Sequence, residues 1–213
     1  LTAISGLDAL TPALEARVSC MQSDYCNALA NEAARLIFKY LPECYKNGTM
    51  NEIARERMFN ASAMAGMAFA NAFLGLCHSM AHKLGGMYHV PHGLANAFLI
   101  SHIIKYNAVD CMTKQAAFPQ YHYPYAKADY AAVARYIGLD GGDDDELVTR
   151  LIAKIEELKA VTYCQDCKQT YPTMTYGKEC PFCHSPNTFL VTGNEYNIKE
   201  IEADNLKKKE ELI

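Results

Sequence analysis

Two cysteine pairs near the end of this 213-residue chain, Cys164-x2-Cys167 and Cys180-x2-Cys183, narrow its folding choices more than any other feature. Twelve residues separate the pairs. That layout matches a zinc ribbon, in which four thiolates close a tetrahedral site, and not a disulfide ladder. A closed site leaves no open position for chemistry, so the expected zinc is structural, and a domain this small usually needs its metal to fold. His184, beside Cys183, is an alternative fourth ligand. The other cysteines, Cys20, Cys26, Cys44, Cys77 and Cys111, are scattered through helical-looking sequence. There, free cysteine behaves as a small buried hydrophobe.

Residues 1 to 160 read as helical almost throughout. Ser23 is a plausible N-cap for "DYCNALANEAARLIFKYL", whose apolar residues recur at helical spacing, and Pro42 is expected to end that helix. "NEIARERMFNASAMAGMAFANAFLGL", rich in alanine and glycine, reads as one long, buried central helix. Pro91 suits the first position of the next, "PHGLANAFLISHIIKY", where no backbone donor is lost. "KQAAFPQYHYPYAK" reads as a connecting loop. "ADYAAVARYIG" and "DDDELVTRLIAKIEELKA" restore the helical pattern. In the second, Asp143 to Asp145 mark a helix start favoured by the helix dipole, not a metal site.

At residue 161 the character changes to short β-prone runs punctuated by Gly, Pro and Asn. The expected architecture is therefore a mainly α domain over 1–160, then a small β zinc ribbon and a charged tail over 161–213. The tail "NLKKKEELI" reads as a solvated end. The junction "KIEELKAVTYCQDC" has no flexible linker. A net charge of -4 and a pI near 6.0 give no footprint for nucleic acid or an anionic membrane. No apolar run is long enough to span a bilayer, and the start lacks a secretory-signal layout, so a cytoplasmic location is expected. Leucine at position 1 is expected of a fragment, a processed product or a piece that starts inside something longer. There is no internal repeat and no glycine-rich phosphate loop of the GxGxxG or GxxxxGK type.

"CHSMAHKLGGMYHVPHG", residues 77–93, holds four of the seven histidines. His78 and His82, four apart on a helical stretch, share a face. His92 lies fourteen residues beyond His78, where a turn through "KLGGMYHV" can fold it back on the pair. His89 sits within that turn and is assigned no role. Two imidazoles with a carboxylate suit iron or zinc.

"GMAFANAFLGLCHSMAHKLGGMYHVPHGLANAFLISHIIKYNA", together with "SGLDALTPALEARVS", resembles the helical C-terminal domain of the iron-dependent alcohol dehydrogenases, in particular the bifunctional aldehyde/alcohol type. The resemblance covers about residues 1 to 160. It implies that Asp8, His78 and His92 hold iron, and that His82 lies near the nicotinamide and serves proton transfer. It also implies NAD-linked interconversion of small aldehydes and alcohols. The family's "DALTH" reads "DALTP" here, so Pro12 stands where a histidine ligand is expected. Proline cannot bind a metal, and this far past a helix start at Ser5 it is expected to kink or restart the helix and disturb Asp8. The family's NAD-binding domain is not in the sequence, so the chain alone is expected to be inactive. The surface facing that domain should be apolar and need a partner chain or a homo-oligomer. Residues 161–204, "YCQDCKQTY…ECPFCHSPNTFLVTGNEYNIKEIEAD", are similar to the zinc domain of the hydrogenase-maturation nickel metallochaperones, whose nickel-binding Met-His-Glu segment is absent. That resemblance implies Cys164, Cys167, Cys180 and Cys183 as structural zinc ligands. The alternative function is a non-catalytic zinc-ribbon protein of that kind.

Overall fold

The computed structural model describes residues 2–47, 50–109, 125–159, 161–172 and 179–192. Within them lie α1 (Thr2–Arg17), α2 (Asp24–Asn47), α3 (Glu52–Ala72), α4 (Leu76–Tyr88), α5 (His92–Asn107), α6 (Ala126–Tyr136) and α7 (Asp144–Lys159). Three strands follow: β1 (Val161–Cys164), β2 (Thr170–Pro172) and β3 (Thr188–Thr192). The chain is mainly helical, as its periodicity predicts. Cys111, most of the loop read over 114–127, the segment "TGNEYNIKEIEAD" beyond Thr192 and the tail lie outside the described residues.

Helices α2, α3 and α7 start at residues whose side chains cap them. The Ser23 hydroxyl accepts from the Cys26 N–H at 3.3 Å, and the Asn51 side chain accepts from the Ala54 N–H at 3.0 Å. Asp143 accepts from the Glu146 N–H at 2.8 Å while Glu146 reaches back to the Gly142 N–H at 2.8 Å. This reciprocal pair makes the acidic cluster a helix start.

Helices α1, α2 and α3 meet through small side chains. Ala13, Ala33 and Ala65 form one buried cluster; Ala16, Ala30, Ala68 and Ala72 form another with Cys26. Alanine at each contact lets the backbones approach closely. The larger core lies on the other side of α1, where Leu10, Leu14, Ile37, Ile100, Ile104, Tyr130, Leu147, Leu151 and Ile155 are all essentially solvent-free. Arg17 ties the end of α1 to α6 through Asp129 at 2.6 Å.

Several expectations change. Pro42 does not end its helix: α2 continues to Asn47, because Leu41 and Cys44 on either side are buried and tertiary packing outweighs the lost backbone bond. Pro12 does not restart α1, which runs unbroken from Thr2 to Arg17 with Leu10, Ala13, Leu14 and Ala16 packed into the core. Pro91 is the N-cap, and His92 is the first residue of α5. The long helix over 51–76 is two helices. Phe73, at φ 65 and ψ 170, breaks the ladder, and α3 meets α4 at 103°. The buried central helix is α5, whose residues from Gly93 to Ile104 are buried on most sides. In α3 the alanines take the packed face, so Ile53, Phe59 and Met67 are left in solvent, Phe59 being 79% exposed. Cys20 is exposed in the α1–α2 turn; Cys26, Cys44 and Cys77 are buried. No single helix among the described residues is long and apolar enough to cross a membrane, and only the sharply bent α3–α4 pair passes together.

Helix α7 runs to Lys159 and β1 begins at Val161. The sheet has the order β2-β1-β3, antiparallel throughout, with Thr162 opposite Tyr171 and Tyr163 opposite Phe189.

Candidate metal centre

Three helices bring their polar residues to one point. Asp8 comes from the middle of α1, His78 from the first turn of α4 and His92 from the first position of α5. One ligand atom from each lies within 4.8 Å of the others, and His92 Nε2 is 3.7 Å from an Asp8 oxygen. His82, one turn beyond His78, stacks on His92 with ring centroids 5.1 Å apart. His78 is buried, whereas His82 and His92 are exposed and Asp8 is half-buried, so the cluster opens to solvent on one side. His89 caps α4 in the left-handed conformation at φ 57 and takes no part.

Sequence reasoning missed two residues here. The first is Glu15, buried at 3% exposure. Its Oε2 lies 2.5 Å from His78 Nδ1, while Oε1 accepts the N–H groups of Cys77 at 2.7 Å and His78 at 3.3 Å. The carboxylate thus sits on the positive end of α4 and orients the imidazole. A carboxylate acceptor at Nδ1 places the proton there and leaves the Nε2 lone pair for a metal. Gly75 makes room for it: a Cβ at that position would lie 2.9 Å from Glu15 Oε1. Burial, then the Glu15 charge, pushes the neighbouring Cys77 thiol up to about 12. The available signal was spacing, because Glu15 follows Asp8 by seven residues, two helical turns on the same face.

The second is Asn96, fully buried one turn after His92. Its side-chain nitrogen is 2.9 Å from Asp8 Oδ1, 3.2 Å from His78 Nε2 and 3.1 Å from His92 Nε2. Two imidazole nitrogens and a carboxylate oxygen converging on one point form a donor set that fits iron or zinc. Pro12 is buried in α1 and offers no donor.

The four cysteines come together as their spacing predicts. Cys164, Cys167, Cys180 and Cys183 place their sulfurs within 4.8 Å of one another, with Cys164 to Cys183 at 3.6 Å and Cys167 to Cys180 at 3.5 Å. Lys168 and His184, each one residue past a CxxC pair, adopt positive φ of 62 and 55. Their N–H groups bond the Cys164 and Cys180 carbonyls at 3.1 and 2.9 Å. Backbone N–H groups of Cys167 and then Asp166 hold the Cys164 thiol down to about 7 against the opposing effect of burial. The His184 ring is exposed 3.4 Å from Glu179 and stays outside the sulfur cluster.

Residues 2–166 match the family described as Fe-containing alcohol dehydrogenase family, C-terminal, and residues 143–203 match hydrogenase/urease nickel incorporation, metallochaperone, hypA. The chain is 60% identical over 159 residues to an aldehyde-alcohol dehydrogenase of Clostridium acetobutylicum, covering 75% of this chain and 18% of that protein. A solved 1,3-propanediol oxidoreductase superposes with a TM-score of 0.64 at 39% identity, over 74% of this chain and 38% of that one. Sulfoacetaldehyde reductase from Bifidobacterium kashiwanohense, solved in complex with NAD+, superposes with a TM-score of 0.55 at 29% identity, over 73% and 37%. This chain therefore spans less than half the length of each of these relatives.

Proposed function

Because the chain belongs to the Fe-containing alcohol dehydrogenase family over residues 2–166, we propose that it is the metal-holding part of an NAD-linked enzyme interconverting small aldehydes and alcohols. The observation that carries this reading is the convergence of Asp8, His78 and His92 from three separate helices. When bound there, the metal supplies Lewis-acid stabilisation of oxygen charge on the substrate. Asp8, His78 and His92 hold it, and Glu15 keeps His78 in the tautomer that can. His82, exposed and stacked on His92, is the group placed to take up and release the alcohol proton between that site and solvent.

The nicotinamide is assigned to protein beyond these residues, joined to the same chain or supplied by another. The exposed Ile53, Phe59, Met67 and Phe73 near α3, with Met80 and Met87 on α4, suit contact with such a part. Cys164, Cys167, Cys180 and Cys183 are assigned a structural zinc that orders the small sheet.

Exchange of residues 2–159 into the matched segment of the Clostridium relative tests the reading. The chimera is expected to bind iron and oxidise NADH with a short aldehyde, weakly as it stands and more strongly with Pro12→His, and to lose activity with His78→Ala. A folded chimera that binds no iron and stays inactive with Pro12→His would reject it. A second reading, favoured by the four-sulfur cluster and the match over 143–203, is a non-catalytic metal-binding protein in which only the cysteines hold metal.

A further inference from the structure

The NH2 group of Asn96 faces more polar neighbours than it has hydrogens. Its nitrogen lies 2.9 to 3.2 Å from Asp8 Oδ1, His78 Nε2 and His92 Nε2, yet an NH2 group carries only two protons. Asp8 Oδ1 and His78 Nε2 present lone pairs, the latter because His78 spends its Nδ1 proton on Glu15, and His92 Nε2 presents either a third lone pair or its own proton to the amide nitrogen. The side chain is fully buried, so no bulk water relieves the mismatch. Its other end faces Cys77, whose sulfur is 3.7 Å from both Asn96 Oδ1 and the Asn96 backbone oxygen. A thiol donates and accepts, so that contact is satisfied by either end of the amide. A half-turn about the last side-chain bond exchanges oxygen for nitrogen without changing shape.

We propose that Asn96 serves as a fourth ligand, through Oδ1, to the cation held by Asp8, His78 and His92, supplying the donor that Pro12 cannot. This rests on the metal-site reading above and extends it to a residue outside the sequence-derived ligand set. Turned this way, the NH2 group faces Cys77, and the amide oxygen joins three donors around one cation. Oxygen donors of this kind suit Fe2+ and Co2+ alongside imidazole. The location is also apt: Asn96 follows His92 by one turn of α5, so one rigid helix sets the distance between both donors.

The test is anaerobic Co2+ titration of the full chain with zinc already on the cysteines, read by visible d–d absorption. Wild type, Asn96→Leu, Asn96→Asp and His78→Ala/His92→Ala are compared, with helical circular dichroism as the check on folding. Wild type is expected to bind one Co2+ that the double histidine variant does not bind. Asn96→Leu, similar in shape but without a donor, is expected to weaken Co2+ roughly ten- to hundred-fold and to change the d–d spectrum. Asn96→Asp is expected to bind at least as tightly as wild type. If Asn96→Leu binds Co2+ as tightly as wild type or more tightly, the amide is only a hydrogen-bonding plug and the proposal fails. If wild type and the double histidine variant titrate alike, the metal site itself fails, a distinct result that removes the proposal with it. Should Asn96→Leu unfold, Asn96→Asp decides: weakening below wild type overturns the assignment.

Discussion

A single proton on His78 determines whether its Nε2 can accept a metal, and Glu15 sets where that proton sits. Glu15 Oε1 is fixed by two backbone N–H donors, so in Glu15→Gln the amide oxygen must stay with them and its NH2 must face Nδ1. The imidazole is then driven to the tautomer protonated at Nε2, which cannot bind a metal. Glu15→Gln is expected to fold, to lower metal affinity by roughly ten- to hundred-fold, and to move the His78 ring 15N shifts to the opposite tautomer. Unchanged shifts and affinity would reduce Glu15 to a helix cap. Cys77 offers a second check. Fully buried and with its thiol pushed up to about 12, it stays protonated at pH 8 and escapes alkylation in the native protein, whereas exposed Cys20 reacts. Peptide mapping after iodoacetamide treatment reads both. The histidines were legible because their spacing folds within one short run. Glu15 and Asn96 were not, because the contacts that tie Glu15 to His78 and Asn96 to Asp8 span 63 and 88 residues and form only through helix crossings.

Helix existence followed from apolar period and from the helix-start residues Ser23 and Asp143, both of which act as caps. Helix continuity did not follow from proline, since Pro12 and Pro42 both lie inside helices whose neighbours are packed. Nor did composition show which face of α3 is buried. Its alanines pack because only they allow α1 and α2 so near, and the bulky residues are turned outward. Ala65→Leu should therefore force those helices apart at a cost of about 1–3 kcal/mol, seen as a lower Tm, while Ala63→Leu on the exposed face leaves Tm nearly unchanged. Equal Tm values for the two would mean that the alanine contact does not set the spacing.

At the scale of the whole molecule, helical body and cysteine sheet carry separate clusters of side chains that could hold a metal. The boundary read at residue 161 coincides with the step from α7 to β1, while the two family matches overlap across 143–166. That boundary is read from four cysteines and a change of residue character. Cys164→Ser with Cys180→Ser is expected to abolish zinc binding and strip order from the sheet while helical circular dichroism and the histidine site persist. Loss of the helical signal would show instead that the body depends on the sheet. The most direct test of the central claim, that Asp8, His78 and His92 hold a metal apart from the cysteines, is elemental analysis of metal-replete protein. Wild type should carry two metal ions per chain and His78→Ala/His92→Ala one. A single zinc in both would contradict the claim and leave the cysteines as the metal site.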